Sequence, residues 1–338
     1  MSPGGNPVDR RTDRWQTTRE GSAERRSCGG RALPLTGEER NGVAVTESPL
    51  VTIGLPVYDS EKHLRQSLDS LLAQTYRDFV LIISDNASTD GTASICRQYV
   101  ESDSRVRYFR NATNIGNPGN FNRVFELTES KYLKWSTADD FWEPTFLERA
   151  LAVVERDETI ALCYPKTYVV DADGLNPQPY EDRLHLVQED PVDRFLTLIS
   201  TIGLAHQHLG VIRTSLLRRT HLLGTHVGSD INLLAELTLY GKFYELPERL
   251  FYRRFHPKSG SWKHSDEKHQ LERYLAAGAR RMGSRAWPRH LGFFRAVSRA
   301  PIPFRSKLRA YRHLLRGARW SRHELMGETV AYLRSLLP

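Results

Sequence analysis

Two adjacent carboxylates, Asp139 and Asp140, end the run KYLKWSTADD and are followed by FWEP, residues 141–144. Neighbouring acids repel, and a partner cation is one explanation for placing them side by side. The other reading is capping, because a helix predicted to start near Pro144 and Thr145 favours acids before its first amides. On their own the two acids fit both readings. Two further polar clusters, PVYDSE at 56–61 and SDNASTDG at 84–91, also close apolar runs. The chain has no Gly-x-x-x-x-Gly-Lys loop, so it is not a P-loop protein.

The elements that carry these clusters alternate. LVTIGLPVY (50–58) predicts a strand closed by Pro56, and Asp59 or Ser60 can cap a helix with Leu64, Leu68, Leu71 and Leu72 on one face. FVLIISD (79–85) is a continuous apolar strand of the kind covered on both faces in a parallel sheet. A turn at STDGT and a helix from Ile95 follow, then a strand RVRYFR, an Asn- and Gly-dense loop NATNIGNPGN and a helical FNRVFELT. KYLKWS is the next strand, FLERALAVVER a helix, and IALCYPKTYVVDADG a strand with a turn. This alternation predicts an α/β fold with a mostly parallel, Rossmann-like sheet, whose ligands sit at the C-terminal ends of the strands. All three polar clusters fall at such ends, which favours a site at Asp139 and Asp140.

NPQPYEDR (176–183) reads as a boundary. Beyond it come helical PVDRFLTLIS, strand-like LGVIRT, helical DINLLAELTLYG, one or two strands in KFYELPERLFYRRFH, and about 70 residues of basic helices. The predicted divisions are 1–48, 49–175, 176–265 and 266–338. The first is rich in Arg, Gly, Ser, Thr and Glu, cannot offset its ordering entropy by burial, and is expected to be disordered.

The 338 residues are 39% hydrophobic, enough for a sizeable core. The 48 Lys and Arg outnumber 40 Asp and Glu, with much of the excess near the C-terminus. Cys28, Cys96 and Cys163 show neither metal-ligand spacing nor a disulfide framework, which fits a reducing cytoplasm. No apolar run approaches the ~20 residues that span a bilayer, and the N-terminus has no apolar signal segment. In 301–338, Leu308, Tyr311, Leu314 and Leu315 recur at helical spacing beside Arg305, Lys307, Arg309, Arg312 and Arg316. That pattern fits either a helix packed on the main domain or a peripheral contact with an anionic membrane. The opposed charges of residues 1–48 nearly cancel, so no specific nucleic-acid arm is expected.

The stretch from Thr52 to Thr92, TIGLPVYDSEKHLRQSLDSLLAQTYRDFVLIISDNASTDGT, resembles the opening of family-two glycosyltransferases, GT-A enzymes that use nucleotide-diphosphate sugars. The shared features are a strand, a Pro-x-Tyr-Asn-Glu motif, a helix ending Ser-Leu-x-x-Gln-Thr, and a strand ending in Asp-Asp or Asp-Asn before Ser-x-Asp-Gly-Thr. The likeness covers roughly residues 50–260. It departs at Thr137, where members often carry the first acid of Asp-x-Asp-Asp, and at Asp59, where they often carry Asn.

The resemblance implies a role for each matching residue. Pro56, Val57, Tyr58 and Glu61 would hold the nucleotide, with Tyr58 stacking, and Asp85 would bind base or ribose; the bland readings are a packed Tyr58 and an Asx-turn at Asp85. Asn114, Asn117 and Asn122, with Gly116 and Gly119, would hold either the loop or the sugar. Asp139 would bind Mg²⁺ or Mn²⁺ with His256, and Arg253 or Arg254 would offset leaving-group charge. Asp230 would be the base that deprotonates an acceptor hydroxyl, or a plain N-cap of the following helix. Glu236 would be structural, and His206 and His208 would line the acceptor pocket. The expected protein is thus an inverting, metal-dependent, cytoplasmic glycosyltransferase, with 49–175 binding the donor, 176–265 the acceptor, and 266–338 a basic helical extension that can lie at the inner face of the membrane. The alternatives are a sugar-nucleotide-binding protein without turnover and a sugar nucleotidyltransferase.

Overall fold

The apolar runs become strands buried on both faces. In this computed structural model, which describes residues 48–256 and 286–335, β1 (Val51–Val57) and β2 (Phe79–Asp85) are buried at every position. They pair in parallel from Val51 with Phe79 to Val57 with Asp85, so their polar ends emerge side by side. Pro56 lies inside β1 rather than closing it. The ladder to the next strand covers only Val51–Gly54, so the missing N–H falls beyond it.

α1 (Glu61–Leu72) buries Leu64, Leu68 and Leu71 against the sheet. α2 (Thr92–Ser102), β3 (Val106–Arg110), α3 (Asn117–Glu126) and β4 (Tyr132–Trp135) complete the first half. Gly54 lets α3 approach β1: a Cβ there would stand 2.1 Å from Val124 Cγ1. β5 (Phe141–Trp142) and α4 (Phe146–Arg156) follow. The capping reading of Asp139 and Asp140 fails here, because β5 separates them from α4 and pairs with the last strand of the sheet.

β6 (Ile160–Val170), β7 (Gln178–Tyr180), α5 (Pro191–Thr201), a 3-10 turn at His206–Leu209, β8 (Val211–Arg213), the short α6 (Thr214–Leu217), α7 (Ser229–Thr238) and β9 (Lys242–Arg254) make the second half. KFYELPERLFYRR is one strand, whose register against β6 shifts around Pro165 and Lys166. The sheet order is β3-β2-β1-β4-β8-β6-β9-β5, with β7 on β6. Among the described residues β1, β2, β3, β4, β6 and β9 run one way, and β5, β7 and β8 oppose them. The turn at 175–176 therefore joins two parts of one sheet.

α8 (Ala286–Arg299), α9 (Phe304–Trp320) and α10 (Arg322–Ser335) form the helical extension. α8 lies on α7, and Ala310 and Leu314 of α9 are buried in the core that includes Phe293, Ala296 and Val297 of α8. Glu328 of α10 accepts the Ala286 and Trp287 amides at the start of α8. The segment expected to be disordered, 1–48, lies outside the described residues apart from its last position, and so does the boundary at 265–266.

Candidate active site

The ends of β1 and β2 are clasped together. Asp59 and Ala87 both hold left-handed backbone, at φ 44° and 64°, which costs energy for residues with a Cβ. The Asp59 amide donates to Ser88 Oγ at 3.0 Å, and its carboxylate accepts the Thr89 amide at 2.7 Å. Glu61 accepts the Gly91 amide at 2.7 Å, so its carboxylate fastens α1 to the turn after β2. Tyr58 remains 47% exposed at the rim, as a stacking ring requires. Val57 offers its carbonyl inward, to the Asn86 amide at 2.9 Å and to Asn120 Nδ2 at 3.3 Å.

Asp85 is fully buried and holds protein donors on both oxygens: Ser88 N at 2.8 Å, Tyr108 hydroxyl at 2.5 Å and Arg110 Nη1 at 2.6 Å. Burial and the Asp85 carboxylate push the Tyr108 hydroxyl up to about 12. The Ser88 bond is the Asx-turn of the bland reading, while the ion pair sets Arg110, still partly exposed, at the same strand end. Sequence reasoning passed over Tyr108 and Arg110. Their signal was the polar alternation in RVRYFR, which pairs Arg110 with Asp85 in register.

The Asn-rich loop is pinned mainly to Asn86 at the end of β2, which takes the Ile115 amide at 2.9 Å and Asn111 Nδ2 at 3.2 Å. Asn114 Oδ1 accepts Asn86 Nδ2 at 2.7 Å and the Gly116 amide at 2.8 Å, and Gly116 sits at φ 79° just before Asn117 opens α3. Asn122 exchanges two hydrogen bonds with the backbone of Leu223. Asn114 and Asn122 thus fix loops.

Asp139 and Asp140 part ways. Asp140 turns inward, accepting Thr137 Oγ1 at 2.5 Å and the Arg254 amide at 2.8 Å, and burial raises its pKa. Thr137, where the resemblance implies a first acid, therefore serves Asp140. Arg254 braces the turn by donating to the Asp139 carbonyl at 2.8 Å, to Ala172 O and to Gln66. Beneath lies Lys134, fully buried, with Nζ 3.1 Å from Trp135 O and 3.5 Å from the Trp142 ring centroid.

The Asp139 carboxylate meets His256 from the end of β9, with Oδ2 and Nε2 3.3 Å apart. That nitrogen is buried and finds no hydrogen-bond partner among the described residues. Two ligands of one octahedral ion at about 2.1 Å stand about 3 Å apart, so this pair fits a divalent cation. Among the described residues no group of three His, Cys, Asp or Glu gathers for a metal, so further ligands would have to be substrate oxygens or water. His63 of α1 brings its ring to 5.6 Å from that of His256. Burial lowers its pKa, helped by Arg254 and opposed by Asp139. Nothing in the sequence marked His63, which sits on the rim of an otherwise ordinary amphipathic helix.

Asp230 is not the N-cap of α7. Gly228, at φ 85°, holds that place, and Asp230 stands in the first turn accepting the Ile231 amide at 2.9 Å. A carboxylate is favoured there by the helix dipole. Its charge acts on His208 and His226, opposing the burial that lowers both. His208 Nδ1 donates to Ala205 O at 2.6 Å, and the ring packs on Phe121 and on Trp135 at the end of β4. The 206–209 turn packs on both β4 and α7, so the end of β4 and the helix that carries Asp230 flank the same short turn. His206 belongs to the core instead, its Nε2 between Thr167 Oγ1 at 2.9 Å and Asp182 at 3.0 Å. Glu236 is buried and accepts the His221 amide at 2.9 Å, a structural role.

This sheet, with its loops gathered over the ends of β1, β2 and β4 and closed by the end of β9, is a GT-A fold. S. aureus TarS (residues 1–349), in a crystal structure with UDP-GlcNAc, shares it at a TM-score of 0.60 and 17% identity, over 78% of this chain and 71% of that one. Residues 52–219 match the profile of glycosyl transferase family 2, and through this region the chain belongs to that family. An uncharacterized glycosyltransferase of Methanocaldococcus jannaschii is 29% identical over 146 residues, 41% of this chain and 50% of that protein. The putative glycosyltransferase EpsE of Bacillus subtilis is 32% identical over 33% of this chain and 41% of its own length. The chain thus spans half or less of these relatives.

Proposed function

We propose that this protein is an inverting glycosyltransferase that moves a sugar from a nucleotide-diphosphate donor to an acceptor hydroxyl with the help of a divalent metal. The observation that carries the reading is the Asp139–His256 pair, 3.3 Å apart. Family membership and the UDP-GlcNAc bound by TarS support a nucleotide-sugar donor. Tyr58 and the Asp85–Arg110 pair receive the nucleoside. Asp139 and His256 would hold Mg²⁺ or Mn²⁺, which when bound neutralises diphosphate charge. Asp230 takes the proton of the acceptor hydroxyl as its oxygen attacks the anomeric carbon. The C–O bond to the diphosphate breaks on the opposite face, so the anomeric centre inverts. Arg253 of β9 adds positive charge that offsets the charge developing on the leaving group.

The test is product analysis with a panel of nucleotide sugars, Mn²⁺ and simple hydroxyl acceptors. The expected products are free nucleoside diphosphate and a glycoside of inverted configuration by NMR. Release of pyrophosphate would instead identify a nucleotidyltransferase, and tight donor binding without any product a non-catalytic binder. Full turnover in excess chelator would remove the metal from the reading.

A further inference from the structure

α9 has two apolar faces, and the fold buries one. Ala310 and Leu314 pack inward. At about 100° per residue, Phe304, Leu308, Tyr311 and Leu315 form a separate stripe roughly a quarter-turn or more away. Phe304 is 77% exposed and Leu315 61%. Across the gap to α8, Leu291, Phe294, Tyr311 and Leu315 line an open groove of about 550 Å³.

A row of exposed guanidinium groups, Arg305, Arg312, Arg316 and Arg319, runs along the flank of that stripe. Arg316, Arg319 and Arg322 surround Trp320, itself 82% exposed, in a second groove. α9 contains no acid. The acids of its neighbours have partners outside that row: Asp190 and Asp193 pair with Arg309, an arginine of α9 turned to α5, Glu324 pairs with Arg289, and Glu328 accepts the amides at the start of α8.

We propose that this face docks on an anionic lipid bilayer, with the apolar stripe entering the headgroup region and the arginines meeting lipid phosphates. An apolar stripe beside a basic row is the form of helix that lies in a membrane interface, and arginine can keep its stem on apolar surface while its head reaches phosphate. The contact is peripheral, since among the described residues no helix is long and apolar enough to cross a membrane. A second copy is disfavoured because a two-fold interface would set one arginine row against another. The segment 257–285 is disfavoured because it carries seven Lys or Arg against three acids. The proposal does not depend on the transfer chemistry, since none of these residues belongs to the candidate active site.

The experiment is co-sedimentation of the full-length protein with vesicles of phosphatidylcholine alone and of phosphatidylcholine mixed with phosphatidylglycerol. The protein should pellet with the mixed vesicles only, and less so as salt rises. The combined variant R305Q/R312Q/R316Q/R319Q should bind at least about tenfold more weakly, and F304S/L315S should also lose binding. Both change exposed side chains, so the thermal midpoint should stay near wild type. Absence of binding to mixed vesicles, or binding unchanged by both variants, overturns the proposal. So does a dimer in solution that Leu315→Ser dissolves, because it would show that a second copy covers the face.

Discussion

At the residue scale, Asp139 and Asp140 are equal in the sequence and opposite in the structure, and three substitutions separate the roles around them. Asp139→Ala removes the carboxylate that faces His256 Nε2 at 3.3 Å. Calorimetric titration of nucleoside diphosphate in Mn²⁺ should then give the weak affinity that wild type shows in excess chelator. Unchanged affinity would take the metal away from Asp139. Asp230→Asn keeps an oxygen for the Ile231 amide but cannot take a proton. Turnover should fall by about 10²- to 10⁴-fold while donor affinity holds, and near-normal turnover would place the base elsewhere. Lys134→Met concerns the buried amine. Burial holds the Lys134 pKa well below its ordinary value, opposed by Asp140. The folded state therefore binds fewer protons than the unfolded state between that lowered value and about 10.4, and stability gained through Lys134 rises with pH across the window. The thermal midpoint of wild type minus that of Lys134→Met should increase from neutral towards alkaline pH. A flat difference would mean that the amine titrates normally. The turn that carries Asp139 was legible because the apolar run before it stops abruptly in polar residues. Lys134, His63 and Tyr108 were not, because burial and ring contacts arise between segments far apart in the chain.

At the element scale, long apolar runs and amphipathic helices were readable because each carries its own period, as in FVLIISD and the Leu64–Leu68–Leu71 face. The short pieces were not. β5 is two residues long and exists only because Tyr252 and Phe251 pair with it. The Gly228 cap depends on a left-handed backbone that no periodicity announces. The packing of α8 on α7 is also invisible in sequence, yet it bears on Asp230, which α7 carries. Asn232 of α7 donates to Pro288 O at 3.3 Å, and a Cβ at Gly292 would stand 1.8 Å from Asn232 Nδ2. Gly292→Ala must displace Asn232 or lift α8, at a cost of about 1–3 kcal/mol. The thermal midpoint should drop by a few degrees, and kcat should fall more than donor affinity, since the donor residues Tyr58 and Asp85 lie on other elements. A variant with wild-type midpoint and kcat would show that this contact is loose enough to yield freely.

At the scale of the whole molecule, the parallel half was legible and the second half only in outline. β1, β2 and β3 follow one another with helices between them and pair in that order, while β4 returns to the other side of β1. β8 instead enters between β4 and β6, joining the two halves by antiparallel ladders that depend on long-range pairing. The C-terminal helices read as either packed or membrane-facing, and the structure packs one face of α9 while leaving another exposed. A chain ending at Ala300 distinguishes packing from mere attachment. It loses Ala310 and Leu314 from the core, the Glu328 cap on α8, and the pairing of Arg309 with Asp190, the N-cap of α5. The exposed ion pair contributes at most about 1 kcal/mol. Burying a leucine side chain contributes about 1.5–3 kcal/mol, so the apolar loss dominates. The truncated chain should unfold at a lower temperature and with less cooperativity by calorimetry. Below that midpoint it should still bind nucleoside diphosphate in a metal-dependent way, because Asp85, Asp139 and His256 lie outside the deleted helices. A truncated chain with the full midpoint would mean that α9 and α10 contribute nothing to the core, and one that folds but cannot bind nucleotide would mean that they shape the donor site.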